Sequence, residues 1–481
     1  MTKIIDFIRD KISDKAMVIT GFCLLGVYYF VGLLSYITFP IKPIFKLLVS
    51  SSIVSIIIRA ILAALICAFS IIVIIKYKTK VKWNWLIIMC FALIMTLISI
   101  LISPRTYEYM YASSLYHEVH AVRLDPGIPR TIVMYLSSVA DFAFAFCILF
   151  VMPVVINNKQ KLLFILIPIV VIGILECIYS AISERQAYIY LFTHPDDPLG
   201  GYGNGVGATF GNKEDWGAFL TVAIVSALAS IFFIRKSKKS VLIKICLWIS
   251  VAIMTIFVVL SLCKTAMLAV LLCGVCLIIG LVVYSAEKNK KMFIIVSALV
   301  GFLAIILVAF FATKGFGVSF LNKVYNFLNN FIISKSERAV EGRSALWLNY
   351  LENVRGYNLF FGLGKSYVSI YTRMLTPETQ HNIHNGFAYF FASYGLVGFF
   401  ILISMLVVVV KNILNLWRIN HYYVFLFGGI LLAGISFVLA ESEVIIISTS
   451  TPIFIFNVLT VILPAGLLYE NSKRSVGECY A

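Results

Sequence analysis

Twelve apolar stretches of about 20 residues or more run through this chain, approximately at 16–39, 52–75, 83–103, 131–154, 162–182, 216–234, 245–263, 265–284, 292–312, 384–410, 422–440 and 444–468. Each is continuous, with no polar residue at every second position, so the pattern predicts helices and not the strands of a barrel. About 20 apolar residues cover the hydrocarbon thickness of a bilayer. The expected fold is therefore all-α: a polytopic membrane protein with about 12 transmembrane helices, organised as one membrane domain over residues 1–481. The first 15 residues are too charged, and the first span too long, for a cleaved signal peptide, so that span is read as retained.

Polar sequence between the spans is short except in three places, 104–130, 183–215 and 313–383. The last is the longest and carries eight Lys/Arg. Within it Phe320, Leu321, Val324, Tyr325, Leu328, Phe331 and Ile332 recur at helical spacing, which predicts an amphipathic helix lying on the membrane surface. A second short helix is expected from about Arg343-Ser344, including Trp347 and Leu351, before Gly356 and the Gly362-Leu-Gly364 segment turn the chain.

Composition agrees with the pattern. The 481 residues are 61% apolar and 13% charged, more apolar surface than a soluble domain could hide. The net charge of +17 is strongly asymmetric. With the N-terminus placed inside, the inner segments hold 22 of the 39 Lys/Arg but only six of the 22 Asp/Glu. That is the positive-inside pattern and not a nucleic-acid footprint. It predicts a multi-pass membrane protein with both termini cytoplasmic and the 313–383 loop outside. The ten cysteines avoid the large outer loop, so no disulfide framework is implied, and Cys273 and Cys276 read as small apolar filler within a span.

Few residues could carry chemistry. His384 opens the tenth span and could accept a proton from a hydroxyl, or could be an interfacial histidine above an ordinary packing pair. On a straight helix Gly395 and Gly398 would lie close to its face, where small residues admit another helix. His381 shares the His-Asn pairing. Arg343 offers a fork of donors suited to phosphate oxygens, or faces solvent and headgroups; Arg338 is a similar candidate. Lys264 lies between two spans with almost no loop around it, and Arg185 follows the fifth span on the same face. Arg59, Asp141 and Glu176 fall inside spans, either as an ion pair or as the charged wall of a polar cavity. There is no metal motif: H-E-x-x-H is missing, and so is a D-x-D beside a membrane mouth. Gly364-Lys365-Ser366 lacks the earlier glycine of a phosphate-binding loop, since Leu359 occupies that position.

These residues resemble the motifs of the O-antigen ligase / Wzy-type polysaccharide polymerase superfamily. His384-Asn385, nine residues, then Gly395-Leu-Val-Gly398 is similar to the H-[NSQ]-x9-G-x-x-G pattern, a spacing that His381 fails because position 392 is Ala. Gly342-Arg343 with Trp347, followed by Phe361-Gly-Leu-Gly364, resembles the large-loop arginine motif. Thr209-Phe-Gly-Asn212 is similar to a G-T-F-x-N segment, with Ala208 in place of the first glycine. One departure is Cys263-Lys264, where many members have Ser-Arg. Lysine keeps the charge there but loses the bidentate fork.

The resemblance implies a glycosyltransferase that needs no metal or other cofactor. Its donor would be an oligosaccharide on undecaprenyl pyrophosphate, held among membrane lipids, and a chain-length regulator would be a partner; nucleic acid would not. His384 would ready the acceptor hydroxyl and Arg343 would stabilise the departing diphosphate. Lys264, Arg185 and Arg338 would help bind it, and Asn385, Trp347, Gly395 and Gly398 would support the site. The acceptor would be a lipid-linked repeat unit for a polymerase, or another glycolipid or wall acceptor for a ligase. The abundance of Ile, Lys, Asn and Tyr, typical of an AT-rich genome, tilts the reading toward a capsule-type polymerase. A flippase or secondary transporter is the competitor from another class; it predicts inverted repeats and broken mid-membrane helices, which the sequence does not display.

Overall fold

In the computed structural model, the described residues are 2–33, 52–78, 83–102, 106–110, 119–123, 142–194, 206–210, 213–235, 237–288, 290–314, 356–362, 385–440 and 455–478, with a few single positions between them. They are overwhelmingly helical. Helix α1 (Thr2–Lys11) precedes α2 (Asp14–Leu33), α3 (Ser52–Tyr77) and α4 (Trp83–Ile102). Next come α5 (Phe142–Val155), α6 (Leu163–Ser183), α7 (Arg185–Thr193) and α8 (Lys213–Phe233). Helices α9 (Lys238–Leu260), α10 (Lys264–Lys288) and α11 (Lys290–Ala312) lead to the large loop. The short α12 (Tyr357–Phe361), α13 (Gly386–Asn415), α14 (His421–Ala440) and α15 (Leu463–Glu478) complete the order. Among the described residues, six helices are long and apolar enough to cross a membrane: α6, α8, α9, α10, α13 with its continuation to Arg418, and α14.

Boundaries move where polar residues continue a helix beyond its apolar stretch. Helix α9 starts seven positions before the expected 245, because Ser237 and Ser240 form a reciprocal capping box that satisfies the first N–H groups. Such a cap is worth about 1 kcal/mol. One feature was not legible beforehand: within the 104–130 segment, strand β1 (Thr106–Met110) pairs antiparallel with β2 (Val119–Arg123), Thr106 opposite Arg123. Of the predicted surface helix, Leu321, Asn322, Tyr325 and Asn326 are helical. The Tyr325 ring meets Phe310 and Phe311 at the end of α11.

Two compact units divide the chain. One comprises Met1–Asn157, Arg343–Asn412 and Val438–Ala481; the other comprises Asn158–Gly342 and Ile413–Phe437. In the second, α8 is the central helix, with Trp216, Leu220, Ala223 and Ala227 all buried. A helix apolar all round needs neighbours on every side, and α6, α9 and α10 supply them. Those flanking helices leave outward stripes exposed, Ile172, Leu175 and Ile178 on α6, and Leu242, Ile249 and Ile256 on α9. Such stripes suit a hydrocarbon solvent. Cys273 and Cys276 are free thiols on α10 beside Gly429 of α14, which is a filler role. In the first unit, Phe142 of α5 packs edge-on against Tyr394 of α13, and Asn157 donates to Glu470 at 3.3 Å.

Candidate functional site

Chemistry-bearing residues gather at one place in each unit. In the first unit it is the start of α13. Asn385 precedes the helix and its side-chain oxygen accepts the Ala388 N–H at 3.0 Å. It is an N-cap, which explains an Asn next to His384 in physical terms. Ten residues on, Gly395 breaks the helix with φ 64° and ψ −166°. That conformation is open to glycine and costly for other residues.

The break makes room for the large loop. A Cβ on Gly395 would lie far inside van der Waals distance of the Phe360 carbonyl and the Phe361 nitrogen. Reciprocally, Gly362 has φ 80°, and a Cβ there would collide with the Ser393 carbonyl and the Tyr394 nitrogen. Helix α12 and the Gly362 turn therefore meet α13 main chain against main chain. The expected close approach at Gly395 exists, but the element that makes it is a five-residue helix of the loop. Because the helix is broken there, a projection of 100° per residue from His384 does not extend to Gly398. Gly398 is helical, and its missing Cβ clears the Tyr394 side chain.

In the second unit the site lies at the Ser183 end of α6. The segment resembling G-T-F-x-N forms a 3-10 turn at Ala208–Phe210. Two carboxylates hold it, Glu176 within α6 and Glu184 at the α6–α7 corner. Thr209 donates its hydroxyl to both oxygens of Glu176 at 2.8 Å. Glu184 accepts the N–H of Gly207 at 3.2 Å and of Ala208 at 3.1 Å. It also folds back to accept the Ser180 hydroxyl at 2.7 Å. Ser180 in turn hydrogen-bonds the Tyr188 hydroxyl on α7. Burial pushes the Tyr188 phenol well above the usual tyrosine range, so it stays protonated. Glu176 lies seven residues, roughly 10 Å, inside the end of α6, so this irregular backbone reaches below the helix ends with the N–H groups of Gly207, Ala208 and Phe210 satisfied.

Ala208 occupies the left-handed region with φ 47°. That is the physical reason a glycine suits this position, and the alanine bears strain of about 1–2 kcal/mol. Ala208→Gly is expected to leave thermal unfolding in detergent unchanged or slightly raised. Ala208→Val, β-branched at positive φ, is expected to lower the midpoint by several degrees.

Lys264 opens α10 and is half-buried. The tight α9–α10 elbow that presents it includes Leu262 at φ 60°. Leu262 packs with Leu191, Tyr188 and Met267, while a Cβ on Gly217 of α8 would come within 2.6 Å of the Cys263 Cβ. Arg185 begins α7 and is exposed. Glu176 and Lys264 thus belong to one unit, and Asn385, Gly395 and Gly398 to the other. His384, Arg343, Arg338, Trp347 and Asp141 lie outside the described residues. Arg59 lies on α3, with its side chain outside them. Sequence reasoning missed Glu184 and Tyr188. The available signal was their spacing at i and i+4, continued by Leu191, on a stretch too short and mixed to be read as a helix.

No curated protein matches the chain. Residues 249–403, from the middle of α9 through the large loop into α13, match the family model described as O-antigen ligase, in line with the resemblance of the motifs.

Proposed function

We propose that this protein is a cell-envelope glycosyltransferase that extends a polysaccharide on the outer face of the bacterial plasma membrane. The donor is a glycan on undecaprenyl pyrophosphate, already activated, and the acceptor is a sugar hydroxyl of a lipid-linked repeat unit. His384 positions or deprotonates that hydroxyl. Arg343 stabilises the charge that develops on the departing diphosphate, aided by Lys264, Arg185 and Arg338. Attack in line with the leaving group inverts the anomeric centre.

The observation that carries the reading is the seam between Gly362 and Gly395 within the matched region. It ties the end of the loop bearing Arg343 to the helix that His384-Asn385 opens, so two motifs distant in sequence serve one structure. The description of the matched family favours a second reading, a ligase that delivers the glycan to a different acceptor. Purified protein in lipid nanodiscs, given only a lipid-linked repeat unit, separates the two. A polymerase produces a ladder of chains growing by one unit. A ligase leaves the repeat unit unchanged until a second acceptor is added. Release of no undecaprenyl pyrophosphate with either acceptor would defeat both readings.

A further inference from the structure

Three residues of the α6–α7 corner reach in two directions at once. Glu184 grips the Gly207 and Ala208 N–H groups. Tyr188, one helical turn on, hydrogen-bonds Ser180, which itself donates to Glu184. Tyr188 and Leu191 pack on Leu262, two positions before Lys264. The same elbow is closed from the other side by Gly217 of α8, the helix that follows the 206–210 turn. One face of a nine-residue helix thus spans from the turn to the cationic elbow. Glu184 already satisfies the N–H groups of Gly207 and Ala208, so in this arrangement they are not offered to a ligand.

We infer that Glu184 is a positioning residue: with Ser180 and Tyr188 it makes α7 a strut that sets the 206–210 turn against the Lys264 elbow, and so sets where Lys264 meets a diphosphate. This rests on the reading of Lys264 as a diphosphate-binding residue. The strut works by geometry and not by charge. Glutamine can offer the same carbonyl oxygen to both N–H groups, while its amide nitrogen can donate to the Ser180 hydroxyl. Alanine can do neither.

The test is binding of undecaprenyl pyrophosphate to the full-length protein in nanodiscs, with thermal unfolding of each variant recorded. Lys264→Ala and Glu184→Ala are each expected to weaken binding about tenfold, and the double variant about as much as either alone, since both report one coupled geometry. Glu184→Gln is expected to bind within about twofold of the wild type. Equal losses in Glu184→Gln and Glu184→Ala would overturn the inference, because charge would then be acting directly. Additive losses in the double variant would also overturn it, leaving only a general stability role. If Glu184→Ala does not fold, Tyr188→Phe replaces it. That change keeps the packing on Leu262, removes the bond to Ser180, and should weaken binding about threefold, within the range of a lost hydrogen bond; wild-type binding there would overturn the inference. Wild-type protein that binds no undecaprenyl pyrophosphate overturns the function itself. Loss in Lys264→Ala with none in Glu184→Ala overturns the strut alone.

Discussion

His384→Ala is expected to reduce long-chain polysaccharide on gels by about a hundredfold or more while the protein stays in the membrane at normal abundance. The separation of activity from folding follows from the cap. Asn385, not His384, satisfies the Ala388 N–H at the start of α13. Deleting the imidazole therefore leaves the helix start intact. In sequence His384 comes directly before that cap. Arg343→Ala should cost as much, about a hundredfold, because donors aimed at developing charge act most strongly where water is excluded. Arg343→Lys should recover little, since an ammonium cannot reproduce two parallel bonds to phosphate oxygens. Asn385→Ala is the contrasting case: about 1 kcal/mol of stability lost and a lower unfolding midpoint. Normal chain lengths in normal amounts from both His384→Ala and Arg343→Ala would remove the assigned roles.

The second large effect belongs to Gly395. Gly395→Ala puts a methyl group into the Phe360–Phe361 backbone and an alanine at φ 64°. Backbone cannot yield as a side-chain tip can, so the expected cost is about 3 kcal/mol or more. It would be seen as a fall of many degrees in the unfolding midpoint, or as new protease cleavage in the 313–383 loop once α12 lifts away. Gly274→Ala and Gly301→Ala are the controls, since nothing lies within 4 Å of the added methyl at either position. Both should be neutral or stabilising, because alanine outranks glycine within a helix. An unchanged midpoint and unchanged cleavage in Gly395→Ala would mean that the seam does not hold.

The apolar stretches located α6 and α14 to within one residue and α8 and α10 to within four, because about 20 continuous apolar positions have one helical solution in a bilayer. Motif spacing singled out Gly395 and the Phe361-Gly-Leu-Gly364 segment. It could not reveal that they touch, because a positive φ leaves no periodic trace in sequence and the straight-helix projection assumed its absence. Glu176 was legible as an unusual acid inside a span, but its hydrogen bond to Thr209, 33 positions on, leaves no periodic signal in the sequence. Glu184 was less visible still. A carboxylate at a helix end looks like any surface acid until the backbone N–H groups it satisfies are known. The β1–β2 pair shows the same limit, since five-residue strands in a polar segment offer too few alternations to stand out.

At the join between α12 and α13, the atoms nearest both glycines are main-chain atoms. Under the proposed function, side chains upstream in the loop are therefore expected to vary with the sugar without loosening this join. On that proposal, grafting residues 314–355 from a homologue with a different product is expected to change the glycan made, provided both glycines of the join stay.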